Sequence, residues 1–144
     1  MTITADSLRD VPLLAGLTER ERKNLASNLH ERTFAAGRAI VEQGRMGVGF
    51  FVILDGSASV TVNGEERATL GPGHHFGELA LIDRNGDRTA TVTATTELRC
   101  ACMTAWEFRP FVLEHPDVGW RLLGTLAQRV RDAEARLAAG SATA

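Results

Sequence analysis

Two charged residues, Glu78 and Arg88, lie within apolar segments of the sequence, where a charge is costly to bury. Glu78 belongs to the run FGELAL, and Arg88 heads the alternating run RTATV. A carboxylate can accept a hydrogen bond from a hydroxyl group, whereas a guanidinium offers paired N–H donors that suit two phosphate oxygens. Their types and their spacing therefore predict a site for a ligand that carries both a hydroxyl group and a phosphate.

The chain between these two residues supplies further groups for a phosphate. Residues 77–81 are compatible with one helical turn, whose start exposes unpaired N–H groups and the positive end of the helix dipole. Gly77 lets the backbone approach a ligand closely. Arg88 follows the turn DRNGD and is predicted to begin a strand that returns beside that helix start. A ribose with a 3′,5′-cyclic phosphate carries both groups, because its 2′-hydroxyl is the only one left free. Glu78 would accept a hydrogen bond from that hydroxyl.

The elements that must position this site are mostly short strands. Segments rich in β-branched and aromatic residues are separated by glycines, namely ERTFAAG, RAIVEQG, GFFVILDG, SASVTV and ERATLGPG, and RTATVTA and ELRCACMT follow. Asn63-Gly64 predicts a type I′ turn, because both residues tolerate positive φ. Strands at this spacing predict a mainly β domain with flanking helices, built as a double-stranded β-helix or jelly-roll barrel.

Helices are predicted at both ends of the barrel. Thr18 and Glu21 have the spacing of a capping box, which predicts a short N-terminal helical segment. Near the C-terminus a short helix contains Pro110, and a longer one runs from Pro116 to Gly140, with residues 140–144 as a flexible tail. Trp120, on the longer helix, is assigned to the core.

The longer helix carries an apolar stripe with alternating spacings of three and four residues. The stripe consists of Leu123, Leu126, Val130, Ala133 and Leu137. It could pack on its own barrel, pair with the same helix of a second chain to make a homodimer, or close over a bound base. The sequence does not choose among these three interpretations.

The bulk composition is that of one globular domain, which spans residues 1–144. Apolar residues make up 44% of the 144 residues, charged residues 24%, and the formal net charge is −2. The basic residues are scattered, which argues against direct contact with nucleic acid. No apolar run predicts a membrane span and no secretory signal is visible, so a cytoplasmic location is expected. Cys100 and Cys102 point to one face of a strand and are expected to be buried free thiols.

A metal enzyme of the cupin type is the main catalytic alternative, because His74 and His75 are close to Glu78. Adjacent residues of an extended segment point to opposite faces, however, and His30 and His115 lie far away in the sequence. We therefore expect solvated turn histidines, no metal, no cofactor and no enzymatic activity.

The motifs together resemble those of the cyclic nucleotide-binding domain family, which includes catabolite activator-type regulators and kinase regulatory subunits. The resemblance covers about residues 10 to 138, and its most specific part is FGELALIDRNGDRTATV, similar to the family's phosphate-binding cassette. It implies that Glu78 holds the ribose 2′-hydroxyl and Arg88 the cyclic phosphate. The backbone amides of Gly77, Leu79 and Ala80, together with the residues Thr89 and Ala90, would complete the phosphate cradle. It also implies that base contacts come from the last helix, around Val130, Arg131, Ala133, Glu134 and Leu137.

The resemblance predicts a stand-alone bacterial sensor that repositions its C-terminal helix when a cyclic nucleotide binds. It favours cAMP over cGMP and requires a downstream protein partner, which the sequence does not identify. In the family a proline usually precedes the arginine, whereas this chain has Asp87. That departure supports the alternative of a degenerate member, which binds no nucleotide and serves as a protein-interaction or dimerisation module.

Overall fold

A computed structural model of the chain describes residues 3–45, 49–78, 82 and 88–143, and within them eight strands form two antiparallel sheets. The first sheet has the order β1 (His30–Phe34), β8 (Leu98–Thr104), β3 (Gly49–Asp55) and β6 (His75–Phe76). The second has the order β2 (Ala39–Val41), β7 (Thr91–Ala94), β4 (Ala58–Val62) and β5 (Glu65–Leu70). The predicted barrel of two facing sheets with flanking helices is confirmed.

The helices lie before and after the strands in the chain. Helix α1 (Ala5–Leu8), a 3₁₀ turn (Pro12–Leu14) and α2 (Glu19–Asn28) come first, and α3 (Ala105–Glu114) and α4 (Pro116–Thr143) come last. The predicted capping box begins α2: the Thr18 N–H donates to Glu21 Oε1 at 2.9 Å, and the Glu21 N–H donates to Thr18 Oγ1 at 3.2 Å. Pro110 lies inside α3 and does not end it.

Two apolar clusters hold these elements together. The sandwich core, between the two sheets, consists of Phe34, Val41, Phe51, Ile53, Ala58, Phe76, Val92, Ala94, Leu98, Cys100 and Cys102. The helical core, on the outer face of the first sheet, consists of Leu8, Val11, Leu13, Leu14, Leu17, Leu25, Ala26, Phe50, Val52, Ala101, Met103, Phe108, Phe111, Val118 and Leu122. Strands β3 and β8 contribute alternate residues to each, because successive side chains of a strand point to opposite faces.

The turn between β4 and β5 has the predicted conformation. Asn63 has a φ of 53° and Gly64 a φ of 78°, as a type I′ turn requires at both central positions. Cys100 and Cys102 are free thiols in the sandwich core, as predicted, and burial raises the pKa of each to about 12. No helix among the described residues is both long and apolar enough to span a membrane.

Helix α4 differs from the prediction in its end and in its buried face. It continues to Thr143, past Gly140, where the sequence predicted its end and the start of a flexible tail. Its buried face is set by Val118 and Leu122, which are four residues apart and lie in the helical core. Trp120 lies about 200° around the helix from each of them and is 75% exposed, so its assignment to the core was wrong.

Candidate functional site

A cavity of ≈ 210 Å³ lies between residues of the strands and the two segments 77–78 and 88–90. Its walls combine apolar side chains of the sandwich core with polar groups from three separate parts of the chain. The lining residues are Val41, Val60, Leu70, Phe76, Gly77, Glu78, Arg88, Thr89, Ala90, Val92 and Arg129. The cavity therefore brings together Glu78 and Arg88, the two residues from which the sequence predicted a site.

Gly77 fixes the approach to the cavity, immediately after β6. Its φ is +98°, a left-handed conformation that side-chain-bearing residues rarely adopt. A Cβ at this position would lie 2.5 Å from the carbonyl oxygen of Gly49 and 3.0 Å from Arg88 Nη1. The site therefore needs glycine here both for the backbone conformation and for the space that Arg88 occupies.

Arg88 is buried and held at both its backbone and its side chain. Its N–H donates to the carbonyl oxygen of Arg45, and its own carbonyl oxygen accepts from the Gly44 N–H, each at 2.8 Å. Its Nη1 donates to the Gly77 carbonyl oxygen at 2.7 Å, and its Nη2 to the Gly49 carbonyl oxygen at 2.9 Å. The guanidinium is thus fixed in position before any ligand arrives.

The charge of Arg88 is only partly matched by these carbonyl groups. Burial lowers the pKa of Arg88 from its ordinary value, and the negative charge of Glu78 opposes that shift. Its Nε is buried and has no hydrogen-bond partner among the described residues. A buried cationic donor without an acceptor, on the wall of a cavity, suits an anionic ligand.

Glu78 is fully buried, and its two carboxylate oxygens face different parts of the protein. Oε1 accepts a hydrogen bond from Arg129 Nη1, which belongs to α4, and Oε2 lies 3.5 Å from His75 Nδ1. Burial by itself raises the pKa of Glu78, but the facing His75 imidazole and the Arg129 charge outweigh it, so the net pKa is below its ordinary value. The carboxylate is therefore ionised at neutral pH and can accept a hydrogen bond from a hydroxyl group.

Arg129 was missed by the sequence analysis. It directly precedes Val130 in the apolar stripe, and its side chain is 42% exposed, reaching from α4 to the buried Glu78. The burial of Glu78 implied that some cation must face it, but the sequence offers 16 lysines and arginines and no spacing that selects this one. The contact spans 51 residues of chain, so only the fold reveals it.

The other predicted site residues are placed as follows. Thr89 and Ala90 line the cavity, whereas Leu79 and Ala80 lie outside the described residues. Arg88 was expected to begin a strand, but β7 begins at Thr91, so that prediction was wrong by three residues. Backbone pairing with residues 44 and 45 positions Arg88 instead.

The residues predicted to cover the base are exposed on α4. They are Val130, Arg131, Ala133, Glu134 and Leu137, and the cavity lining does not include them. Of the stripe, Leu126 packs against the helical core, while Leu123, Val130 and Leu137 are 58%, 56% and 72% exposed. Packing on the chain's own barrel therefore does not account for the stripe.

The two adjacent histidines have different environments. His74 is exposed, and its Nδ1 accepts from the Gly71 N–H at 2.9 Å, as a turn residue would. His75 is buried, so the prediction of a solvated side chain was wrong for this residue. It lies on β6, which pairs with β3 and places the ring against Phe50. The described part of the chain contains no group of three or more His, Cys, Asp or Glu side chains that could hold a metal ion.

The arrangement can hold a ligand with one anionic group and one hydroxyl group. Arg88 supplies a fixed cation with an unused donor, Glu78 supplies a fixed acceptor, and the apolar wall from the sandwich core can cover a flat, weakly polar group. This combination of an apolar cavity with a few polar groups is typical of small-molecule binding sites.

Comparison with known proteins gives relatives of two kinds, kinase regulatory subunits and a cyclic AMP receptor protein. The chain is 39% identical over 127 residues to a cAMP-dependent protein kinase regulatory subunit of Mycosarcoma maydis, an alignment covering 83% of this chain and 22% of that protein. It is 29% identical over 135 residues to the cyclic AMP receptor protein of Thermus thermophilus, covering 90% of this chain and 62% of that protein. The kinase regulatory subunits it matches are thus about four times longer than the aligned region.

The fold and the sequence both identify the family. The crystal structure of the Thermus thermophilus catabolite activator protein superimposes with a TM-score of 0.77 at 29% identity, over 88% of this chain and 61% of that one. The family model described as "Cyclic nucleotide-binding domain" matches residues 31–115, more than half of the chain. The chain therefore belongs to the cyclic nucleotide-binding domain family.

Proposed function

We propose that this chain is a regulatory sensor that binds a 3′,5′-cyclic nucleotide, with cAMP preferred over cGMP, in the cavity lined by Glu78 and Arg88. The observation that carries the proposal is the buried Arg88, whose Nε lacks a partner among the described residues, on the same cavity wall as the ionised Glu78. The preference for cAMP is supported by relatives whose names contain cAMP. Those relatives are regulatory subunits and receptors, which supports a regulatory rather than an enzymatic role.

Each polar group then has a specific role in binding. Arg88 binds the single negative charge of the cyclic phosphate. The backbone amides of Gly77, Leu79 and Ala80, together with Thr89 and Ala90, complete the phosphate site. Glu78 accepts a hydrogen bond from the ribose 2′-hydroxyl, which is the hydroxyl that the 3′,5′ ring leaves free. The apolar wall covers the ribose and the base. The carboxylate and the phosphate repel each other, and Arg88 offsets that repulsion.

The first prediction concerns Arg88. Replacing Arg88 with alanine removes the charge partner of the phosphate, and we expect cAMP affinity to fall by roughly 30-fold to several thousandfold, equivalent to about 2–5 kcal/mol. Arg88→Lys keeps the charge without the paired donors and should bind with intermediate affinity. The measurement is titration calorimetry with cAMP, cGMP and 5′-AMP.

Arg9→Ala is the matched control, because Arg9 is 56% exposed and pairs with Asp6 far from the cavity. It should bind cAMP as the wild type does. If the folded, nucleotide-free wild type gives no heat with any of the three nucleotides, the proposal is wrong and the non-binding interaction module becomes the better interpretation.

We further propose that ligand binding repositions α4 and that Arg129 transmits the change. A ligand shifts a conformational equilibrium only if it interacts differently with the two states. Arg129 joins α4 to the same carboxylate that receives the ribose hydroxyl, so a ligand on Glu78 alters the hydrogen bonding available to Arg129. The exposed lid residues, Val130 to Leu137, lie just beyond Arg129 and would move over the base.

The second prediction concerns this coupling. A fluorescent label on Ala135→Cys reports the distal part of α4, and the buried native thiols, with pKa values raised to about 12, should not compete for the label. We expect saturating cAMP to change the label's emission, and this change to be lost when Arg129→Gln is added. Arg121→Gln is the control, since Arg121 lies on the same helix, is 43% exposed and pairs with Asp117. A response that survives Arg129→Gln unchanged would exclude Arg129 as the link.

A homodimer through α4 is a separate proposal about partners. Leu123, Val130 and Leu137 recur every seven residues and are exposed, as one of the two apolar positions of a coiled-coil heptad would be. The spacing suits the same helix of a second copy. The downstream protein that receives the signal would then contact a dimer rather than a single domain.

The third prediction tests this seam. A carboxylate buried between two helices is destabilising, so Val130→Glu should convert a dimer to a monomer in sedimentation velocity experiments. Ala135→Glu adds the same charge to an exposed position outside the seam and should leave the dimer intact. A wild-type chain that sediments as a monomer at high micromolar concentration, with and without cAMP, would contradict the proposal.

The fourth prediction concerns pH. The folded-state pKa of Glu78 is below its ordinary value of 4.5, because His75 and Arg129 together outweigh the effect of burial. A carboxyl with a lowered pKa stabilises the fold fully above the ordinary value, and this contribution is lost as the pH falls through the lowered one. The difference in unfolding free energy between the wild type and Glu78→Gln should therefore be constant above about pH 6, and the wild type should lose stability relative to the variant as the pH falls below about 5.

Urea denaturation at a series of pH values measures this difference, and Glu114→Gln provides the same substitution at an exposed side chain on α3. A change in the opposite direction, with the wild type gaining stability relative to Glu78→Gln in acid, would mean that burial dominates. The folded-state pKa of Glu78 would then lie above its ordinary value, contrary to this prediction.

A further inference from the structure

His75 is buried beside the site without lining the cavity. Strand β6 has two residues, which pair with β3 so that Val52 lies opposite His75 and Phe51 opposite Phe76. Because neighbouring side chains of a strand point to opposite faces, Phe76 faces the sandwich core and lines the cavity, whereas His75 points away from it. The His75 ring lies 5.5 Å from the Phe50 ring, centroid to centroid, in the direction of the helical core.

The chain turns back at Gly77, so that Glu78 meets His75 three residues after it. His75 Nδ1 and Glu78 Oε2 are 3.5 Å apart. Both atoms are buried, and neither has a hydrogen-bond partner among the described residues. The distance is longer than a normal N–H···O bond, and a shift of about 0.6 Å would bring it to the ordinary value of about 2.9 Å. Each atom is therefore the partner that the other lacks.

We propose that His75 is a positioning residue, which orients the Glu78 carboxylate for the ribose 2′-hydroxyl. This inference rests on the proposed function of the cavity. A carboxylate has two oxygens with about four acceptor positions, and the terminal torsion of a glutamate is only weakly restricted. With Arg129 on Oε1 and His75 on Oε2, the plane of the carboxylate is fixed from both sides. The unused lone pairs then point in a defined direction, toward the cavity that Glu78 lines.

The same geometry predicts which proton His75 carries. Nδ1 must be the donor toward Oε2, because a carboxylate only accepts hydrogen bonds. Among the described residues, the cation hydrogen-bonded to this carboxylate is Arg129, from α4, and the neighbouring side chain from β3 is the apolar Phe50. His75 is thus the member of the pair that holds Glu78 from the barrel side, whereas Arg129 holds it from the helix side.

Because His75 does not line the cavity, its effect on the ligand must pass through Glu78. Glu78 interacts with the 2′-hydroxyl, so the contribution of His75 should be confined to ligands that possess that hydroxyl. A purely structural role for His75, such as filling space beside Phe50, would affect all ligands equally. Removing one atom from the ligand therefore separates the two roles.

The experiment compares cAMP with 2′-deoxy-cAMP by titration calorimetry on the wild type, His75→Phe and His75→Asn. Phenylalanine keeps a ring against Phe50 but has no donor, while asparagine keeps an N–H donor attached to Cγ, as Nδ1 is. We expect His75→Phe to lose roughly tenfold to a hundredfold in affinity for cAMP and little for 2′-deoxy-cAMP. His75→Asn should retain most of the preference for cAMP.

Equal losses for both ligands in His75→Phe would overturn the inference in favour of a structural role. Unchanged preference for cAMP in both variants would overturn it as well, while leaving the proposed function intact. A wild type that binds neither nucleotide would overturn both.

A second measurement does not depend on a variant that folds. Nitrogen-detected NMR of the wild-type chain should show His75 with a proton on Nδ1, whereas a ring protonated on Nε2 alone would contradict the proposed contact.

Discussion

The structure depends on burying a carboxylate and a guanidinium in one small domain. A charge removed from water is costly unless other groups replace the water, and Glu78 and Arg88 are both almost entirely buried. The carbonyl groups of Gly77 and Gly49 take the place of water around Arg88. Arg129 and His75 face the two carboxylate oxygens of Glu78 in the same way. Strands β3 and β6 and helix α4 must therefore all be in place before both charges are tolerable.

The two-sided first sheet makes this arrangement feasible. Strands β3 and β8 contribute to the sandwich core on one face and to the helical core on the other, so the sheet separates the two apolar clusters. Strand β6 lies at the edge of the sheet, with Phe76 on the cavity side and His75 on the helix side. Glu78, two residues after the end of β6, lines the cavity and also faces His75. A ligand at this position would lie between the barrel and Arg129 of α4, which also lines the cavity.

The sequence predicted those features that arise from local patterns. Alternating strands, the Asn63-Gly64 turn and the capping box at Thr18 each depend on residues close together in the chain, and each is confirmed. Glu78 and Arg88 were found because an unusual charge in an apolar run is visible without any structure. Arg129 and His75 could not be assigned in this way, because their roles depend on which distant or opposite-facing group they meet. Trp120 was assigned wrongly for a related reason: hydrophobic character does not reveal which face of a helix packs.

Helix α4 consists of two parts that are stabilised differently. Its first turns pack against the helical core through Val118 and Leu122, whereas the side chains from Arg131 to Gly140 are all exposed. An isolated helix of about 10 residues is only marginally stable in water. The distal turns can therefore unwind while the barrel stays folded, and a second helix along the stripe or a nucleotide beneath them would favour the wound form. Helical order in this distal part of α4 is therefore a property that the barrel does not fix by itself.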